Sequence, residues 1–265
     1  MLRKSSSASA KAIRASVPLR HPELPESAAS PCRPPAATPA GTCRRVRVHG
    51  ARGHPYGRLR YDGGHMVPLK ALSDDVVYLG TISKVFAPGL RTGWIVAPKS
   101  VLAKINLVKQ GTDLCGSSFD QVVVEHYFTD TPWQKTLQKF VATYRVRRDA
   151  MLAALEEHFP PEASWTRPEG GFFVWVTLPA YFDTGSMLGE ALEAGVTYVP
   201  GDSFFPGGTM GKNSMRINFS FASPEDIAEA IRRLAAVIDE RLELYRVFLD
   251  AGVLPNAGQA DAASA

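Results

Sequence analysis

An α/β fold in two parts is predicted from the order of apolar patterns along the chain. Short apolar runs typical of strands alternate with longer segments whose apolar residues recur at helical spacing. The strand runs are 76–79, 94–97, 172–178, 196–199 and 214–220, and the helical segments are 101–108, 119–128, 132–158, 186–195 and 224–249. With 45% apolar residues, the chain can bury an ordinary globular core.

Residues 1–54 differ from the rest in composition. They are rich in Ala, Pro, Ser and Arg and show no helical or strand periodicity, so we expect disorder up to about Pro55. The basic, Ser-rich start resembles an organelle transit peptide. Because the segment has no amphipathic pattern, we favour a misassigned start or an out-of-frame stretch. The small, polar residues 251–265 should form a flexible tail.

Charge and cysteine usage exclude several classes of protein. Residues 1–54 hold ten Lys and Arg against two acidic residues, whereas the remainder holds 20 against 24. The folded part is therefore mildly acidic, which does not favour nucleic-acid binding. The three cysteines show neither disulfide nor metal-ligand spacing, so we expect a reducing, cytoplasmic location. No apolar run approaches the length of a membrane span.

Capping and turn residues mark the elements of the second part. Thr131 and Pro132 suit the N-cap and first position of a helix that ends before Pro160-Pro161, with Gln134 completing a capping box. The charges near Arg148 in its middle suggest a solvated face. Gly195 should end the next helix, and Ser223-Pro224 should begin the last. We expect one domain over residues 55–130 and a second over 131–250.

An unusual set of polar residues separates the strand runs at 76–79 and 94–97. It contains Thr81, Ser83, Lys84 and, across a Pro88-Gly89 turn, Arg91. Hydroxyls and an arginine suit a phosphate group, and a lysine amine can form an imine. Pyridoxal phosphate is a cofactor that needs both. A lone lysine is usually a solvated charge, and two hydroxyls alone would suggest turn capping.

Two motifs follow each other in this stretch: Gly-Thr-x-Ser-Lys over residues 80–84 and Ala-Pro-Gly-x-Arg-x-Gly over residues 87–93. Their order resembles the signature of fold-type I, class I/II aminotransferases. The most similar branch contains the aminoadipate, kynurenine and aromatic aminotransferases, together with aminotransferase-like domains of bacterial transcription regulators. The resemblance implies the C-terminal part of a large cofactor-binding domain, with a mostly parallel mixed sheet and flanking helices. It also implies a small α+β C-terminal domain and a homodimer acting on amino acids and 2-oxo acids.

The resemblance also implies a role for each matching residue in the first domain. Lys84 would hold pyridoxal phosphate covalently and act as general acid and base. Thr81, Ser83 and Arg91 would bind the phosphate. Tyr56, in a segment that precedes the lysine strand, would hydrogen-bond the phenolic oxygen of the cofactor. The alternative for Tyr56 is an amphipathic core tyrosine.

Arg216 is the candidate substrate-binding residue. It lies on the polar face of the last strand run, after a Gly-rich loop. An arginine on an edge strand is usually solvated, but the resemblance implies that this one binds the substrate α-carboxylate through two parallel hydrogen bonds. Gly170-Gly171 also matches a turn of the family and should supply backbone freedom.

The chain departs from the family pattern in two respects. Gly53 stands where the family has an aspartate for the pyridine nitrogen, and the upstream half of the family fold is not recognisable in residues 1–54. We therefore expect a truncated or frame-disrupted aminotransferase with weak or no activity and an exposed sheet edge. The alternatives are a cofactor-binding effector domain of a transcription regulator and a non-functional fragment.

Overall fold

The computed structural model describes residues 51–53, 55–64 and 66–250. The chain divides into two compact units, and the division falls after Gln138, inside a helix. The sequence-based domain boundary lies slightly earlier, after residue 130. The predictions for residues 1–50 and 251–265 lie outside the described residues.

The first unit contains a mixed three-stranded sheet. Its strands are β1 (Ala51–Gly53), β2 (Val77–Thr81) and β3 (Gly93–Val96), in the order β1-β2-β3. β1 pairs with β2 in parallel, and β2 pairs with β3 antiparallel. β1 corrects the expectation that order begins near Pro55. A strand of three residues is too short to produce a recognisable alternation.

Helices α1 (Lys99–Thr112), α2 (Ser118–Asp130) and α3 (Trp133–His158) follow the sheet. Ser117 caps α2 by accepting a hydrogen bond from Asp120 N. The predicted role of Thr131 as N-cap of α3 is wrong. Its hydroxyl donates to Tyr127 O at 2.6 Å, so Thr131 closes α2 instead.

The second unit contains a four-stranded antiparallel sheet, in the order β4-β5-β7-β6. Its strands are β4 (Ser164–Trp165), β5 (Phe173–Thr177), β6 (Val199–Pro200) and β7 (Ser214–Asn218), and its further helices are α4 (Thr184–Glu193) and α5 (Pro224–Asp250). Gly195 follows α4 at a φ of 78°, and Ser223 Oγ accepts from Asp226 N at the start of α5. The predicted end of α4 at Gly195 and the predicted start of α5 at Ser223-Pro224 are therefore confirmed.

Alternation along β7 separates a buried face from a polar one. Met215 and Ile217 are buried, whereas Arg216 between them is half-buried and Asn218 is exposed. The buried face joins Val174 and Val176 of β5 in a core that also includes buried residues of α3 and α5. This arrangement leaves the opposite face of the sheet to carry Arg216. Among the described residues, no helix is long and apolar enough to cross a membrane.

Candidate active site

Lys84 lies in a tight loop that follows β2 directly. The amides of Val85 and Phe86 both donate to Ile82 O, at 3.1 and 2.9 Å, and Ile82 and Val85 are buried. Thr81 Oγ1 lies 2.9 Å from Ser83 Oγ and accepts a hydrogen bond from Ser83 N at 3.1 Å. The loop thus holds two hydroxyls side by side next to Lys84.

Gly80 allows the close approach of β3 at the start of this loop. Gly80 lies opposite Trp94 in the antiparallel pair. A Cβ atom at position 80 would lie 2.2 Å from Cε2 of the Trp94 indole. Only glycine therefore leaves room for the ring that covers the end of β2.

Tyr56 and Lys84 come together although 28 positions separate them in the sequence. Lys84 Nζ lies 6.0 Å from the centroid of the Tyr56 ring. The segment that carries Tyr56 is anchored by Leu59 and Tyr61, which are both buried, and Leu59 N donates to Tyr56 O at 2.8 Å. The structure therefore brings Tyr56 near the lysine loop, while its predicted hydrogen bond to the cofactor stays a prediction.

Arg91 ends a short 3₁₀ turn, Pro88–Leu90, and is exposed. Its backbone is left-handed, with a φ of 49°, which is uncommon for a residue other than glycine. Its guanidinium donates to Pro88 O at 3.3 Å rather than to Thr81 or Ser83. The structure thus places Arg91 on the same β2–β3 connection as the two hydroxyls, without a direct bond to them.

Gly53 ends β1, the strand that neighbours β2 in the sheet. Among the described residues, a Cβ atom at this position would meet Pro55 Cδ at 3.6 Å, which is an ordinary van der Waals contact. The backbone at position 53 could therefore carry the aspartate that the family pattern leads us to expect.

Arg216 belongs to the second unit, where two aromatic rings hold its guanidinium. Arg216 Cζ lies 4.0 Å from the Phe173 ring centroid and 4.5 Å from that of Phe204. Trp175 stands opposite Arg216 on β5 and contacts Phe204 edge-on at 5.4 Å. The attraction of the cation to both rings stabilises the guanidinium at this position.

An open cavity of about 410 Å³ lies in the second unit and includes Trp175. Thr177 and Ser214 also line it, and their hydroxyls are 3.3 Å apart. None of the lining residues is charged. The cavity therefore suits an uncharged group that combines apolar contact with hydrogen bonding.

The structure thus assembles the predicted residues in two groups, one in each unit. Lys84, Tyr56, Thr81 and Ser83 belong to the first unit, with Arg91 further along the same connection, and Arg216 belongs to the second. Sequence reasoning missed the stacking of Phe173 and Phe204 on Arg216. The pairing of β5 with β7 places Phe173 opposite Asn218, two positions from Arg216, and no local pattern reports that register.

Comparison with known proteins identifies the class. The model of the family described as aminotransferase class I and II matches residues 53–234. The chain therefore belongs to the class I and II aminotransferase family. It is 46% identical over 192 residues to aromatic-amino-acid aminotransferase 1 of Thermococcus litoralis, a match that covers 72% of this chain and 46% of that protein.

Solved structures agree with this classification. The kynurenine aminotransferase of Pyrococcus horikoshii, in complex with PMP, superposes with a TM-score of 0.73 at 43% identity, over 76% of this chain and 50% of that one. LysN, the α-aminoadipate aminotransferase of Thermus thermophilus complexed with N-(5'-phosphopyridoxyl)-L-leucine, gives a TM-score of 0.70 at 33% identity, over 77% of this chain and 53% of that one. The chain thus spans about half the length of the proteins it matches.

A regulator is also among the relatives. An uncharacterized HTH-type transcriptional regulator of Bacillus subtilis is 34% identical over 187 residues, covering 70% of this chain and 38% of that protein. The shared region is therefore found both in proteins named aminotransferases and in a protein named a regulator.

Proposed function

We propose that this chain is the cofactor-binding and carboxylate-binding part of an aminotransferase. The reaction would transfer an amino group between an α-amino acid and a 2-oxo acid with pyridoxal phosphate as cofactor. The observation that carries the proposal is the loop in which Lys84 follows paired hydroxyls and its Nζ lies 6.0 Å from the Tyr56 ring centroid. The complexes of relatives with PMP and with a phosphopyridoxyl amino acid support the choice of cofactor.

The phosphate would be bound by Thr81, Ser83 and Arg91. The two hydroxyls are 2.9 Å apart, so both can donate to neighbouring oxygens of one phosphate. Arg91 would add a charge-assisted bond after its side chain turns from Pro88 O. This donor set fits the dianionic group of the cofactor.

Lys84 would hold the cofactor through Nζ and then move a proton. The bound cofactor supplies an electron sink for the electron pair released at the substrate α-carbon. The Lys84 amine would accept the α-proton and return it to the acceptor carbon as general base and then general acid. Tyr56, whose ring faces Nζ at 6.0 Å, would orient the cofactor through its hydroxyl.

Arg216 would bind the α-carboxylate of the amino acid. Its guanidinium already contacts the Phe173 and Phe204 rings, so less side-chain freedom remains to be lost when two parallel hydrogen bonds form. The two parallel hydrogen bonds would fix the orientation of the bound amino acid.

The first test is cofactor attachment to Lys84. Full-length chain is incubated with pyridoxal phosphate, reduced with sodium borohydride and analysed by peptide mass spectrometry. We expect a phosphopyridoxyl group on Lys84 and loss of the visible absorbance band of the bound cofactor in Lys84→Ala.

Lys104→Ala is the matched control, because Lys104 is an exposed lysine on α1. It should keep both the absorbance band and the label. Equal labelling of Lys84 and exposed lysines such as Lys104 would show adventitious modification and contradict the assignment.

A second candidate function is a cofactor-binding effector domain of a transcription regulator. The similarity to the Bacillus subtilis regulator favours it, and the glycine at position 53 is compatible with binding that does not lead to turnover. Under this alternative, Lys84 would still be labelled, but amino acids and 2-oxo acids would not exchange amino groups. A labelled but inactive chain would also result from a non-functional fragment. Operator binding by a longer gene product would separate the regulator from such a fragment.

We also propose a homodimer with amino acid and 2-oxo acid as its small-molecule partners. Light scattering coupled to size-exclusion chromatography measures the mass of the assembly directly, and a monomer at all concentrations would overturn the dimer. The cytoplasmic location expected from the sequence stays a prediction.

A further inference from the structure

Two neighbouring arginines of α3 contact the chain segment that precedes β5 and the one that follows β7, the strand of Arg216. Arg147 Nη1 donates to Ser220 O, just beyond β7. Arg148 Nη1 donates to Pro168 O at 2.8 Å, just before the turn that leads into β5. Since adjacent residues of a helix point about 100° apart, one helix can reach both chain segments.

These two contacts lie at the same end of the sheet. β5 and β7 are antiparallel, with Phe173 opposite Asn218, so the beginning of β5 lies beside the end of β7. Phe219 N donates to Phe172 O at 3.0 Å and closes this end. Phe173, whose ring centroid lies 4.0 Å from Arg216 Cζ, is the first residue of β5 and follows Pro168 by five positions.

Burial of Arg148 argues against a purely stabilising role. Arg148 is 8% exposed, and its Nε donates to Asp149 Oδ1 at 2.7 Å. The Asp149 side chain is 56% exposed, so its attraction recovers only part of the energy that desolvating Arg148 costs, and an apolar side chain of similar size would not carry that cost. What the guanidinium provides is a directed bond to Pro168 O, which a methionine could not make.

We propose that Arg147 and Arg148 are positioning residues for the carboxylate-binding guanidinium of Arg216. They fix the segment before β5 and the segment after β7 to one helix, and so set the distance between the Phe173 ring and Arg216. This inference rests on the proposed role of Arg216 in binding a carboxylate.

The test compares variants of the full chain for carboxylate binding and for the state of Arg216. The probe is 3-phenylpropionate, titrated calorimetrically in the presence of pyridoxal phosphate. The second readout is the Nε–Hε NMR resonance of Arg216 without ligand, assigned by its absence in Arg216→Met. Arg148→Met and Arg147→Met should each weaken probe binding roughly tenfold and shift the Arg216 resonance.

Three controls separate positioning from general damage. Arg232→Met removes an exposed arginine of α5 that contacts Glu229, and should change neither readout. Arg148→Lys should recover part of the affinity, because lysine can still donate to Pro168 O. The affinity for pyridoxal phosphate, bound by the first unit, should be unchanged in Arg147→Met and Arg148→Met.

The outcomes distinguish this inference from the proposed function. The carboxylate role of Arg216 is wrong if the unaltered chain fails to bind the probe, or if Arg216→Met binds it equally well. In either case the NMR resonance still reports on the position of the Arg216 side chain. If both arginine variants leave the resonance and the binding unchanged, the positioning role is wrong. Should Arg148→Met fail to fold, Arg147→Met, which alters a half-buried side chain, decides the question.

Discussion

Arg91 carries an unfavourable backbone conformation in the loop proposed to bind phosphate. Its φ is 49° and its ψ is 30°, which places an ordinary L residue in the left-handed region. Such a conformation costs on the order of 1 kcal/mol, and residues that retain it are often functional. Glycine would adopt it without strain, so the presence of arginine here favours a role for the side chain.

Arg91→Gly should therefore separate stability from cofactor binding. We expect the free energy of unfolding, measured by urea denaturation, to change by less than about 1 kcal/mol, because relief of strain offsets the added freedom of the unfolded chain. The affinity for pyridoxal phosphate should fall about tenfold, since one charge-assisted bond is lost.

Leu114→Gly is the matched control for this prediction. Leu114 is also left-handed, with a φ of 60°, and lies just beyond α1. It should show the same small effect on stability with no change in cofactor affinity. A similar loss of affinity in both variants would mean that a general effect of the glycine substitution, and not loss of the Arg91 guanidinium, weakens binding.

Single residues differ in how far the sequence predicts them. Lys84, Thr81, Ser83 and Arg91 lie within one short stretch, so their order alone indicated the chemistry. Phe173 could not be predicted as a partner of Arg216, because their contact depends on the register between β5 and β7. A resemblance assigns a residue a role, but the residues that orient it come from tertiary packing.

At the scale of elements, an ion pair joins α4 to α5. Arg241 donates to both carboxylate oxygens of Glu190, at 2.7 and 2.6 Å, and also to Ser186 Oγ at 3.0 Å. The hydrogen bonds from Arg241 lower the pKa of Glu190 below its usual value. Both partners remain partly solvated, so the contribution to stability is modest.

The pH dependence of this contribution follows from the lowered pKa of Glu190. A carboxyl that is more acidic in the folded chain stabilises it above the unfolded pKa, and the effect disappears as pH falls through the folded value. At pH 7, Glu190→Gln should lower the free energy of unfolding by about 0.5–1 kcal/mol. Urea denaturation from pH 7 down to 3 should show the stability difference between Glu190→Gln and the unaltered chain shrink as the pH falls.

Glu193→Gln, an exposed position on the same helix, is the control. It should change stability little at any of these pH values. If the effect of Glu190→Gln were as large at pH 3 as at pH 7, it would come from packing and not from the ion pair.

Elements with long periodic patterns were predicted well, and short or irregular ones were not. The helices and main strands were found, whereas β1 has only three residues and gave no pattern. The charges in the middle of α3 suggested a solvated face, but Arg148 is buried because Pro168 O and Asp149 accept its hydrogen bonds. The sequence signal was the interruption of the apolar face of α3 by charged residues. Interpreting it required the segment at Pro168, whose carbonyl oxygen accepts the hydrogen bond from Arg148.

On the scale of the whole molecule, the departures from the family pattern predict an exposed sheet edge. The strand β3 forms an exposed edge. Among the described strands, β3 stands at the end of the first sheet. Trp94, Ile95 and Val96 are 46%, 38% and 45% exposed, and Leu79, which pairs with Ile95, is 39% exposed. Unpaired backbone groups beside apolar side chains favour pairing with another strand.

We therefore expect concentration-dependent self-association that a charge on this edge would reduce. Ile95→Lys should lower the weight-average mass at high protein concentration, because a lysine on an edge strand opposes pairing with a second chain. Light scattering coupled to size-exclusion chromatography over a range of concentrations measures it. Leu107→Lys adds the same charge at an exposed position of α1 and should have no such effect. If both variants lowered the mass equally, net charge and not strand pairing would be the cause. A discrete dimer that survives Ile95→Lys would place the dimer interface elsewhere.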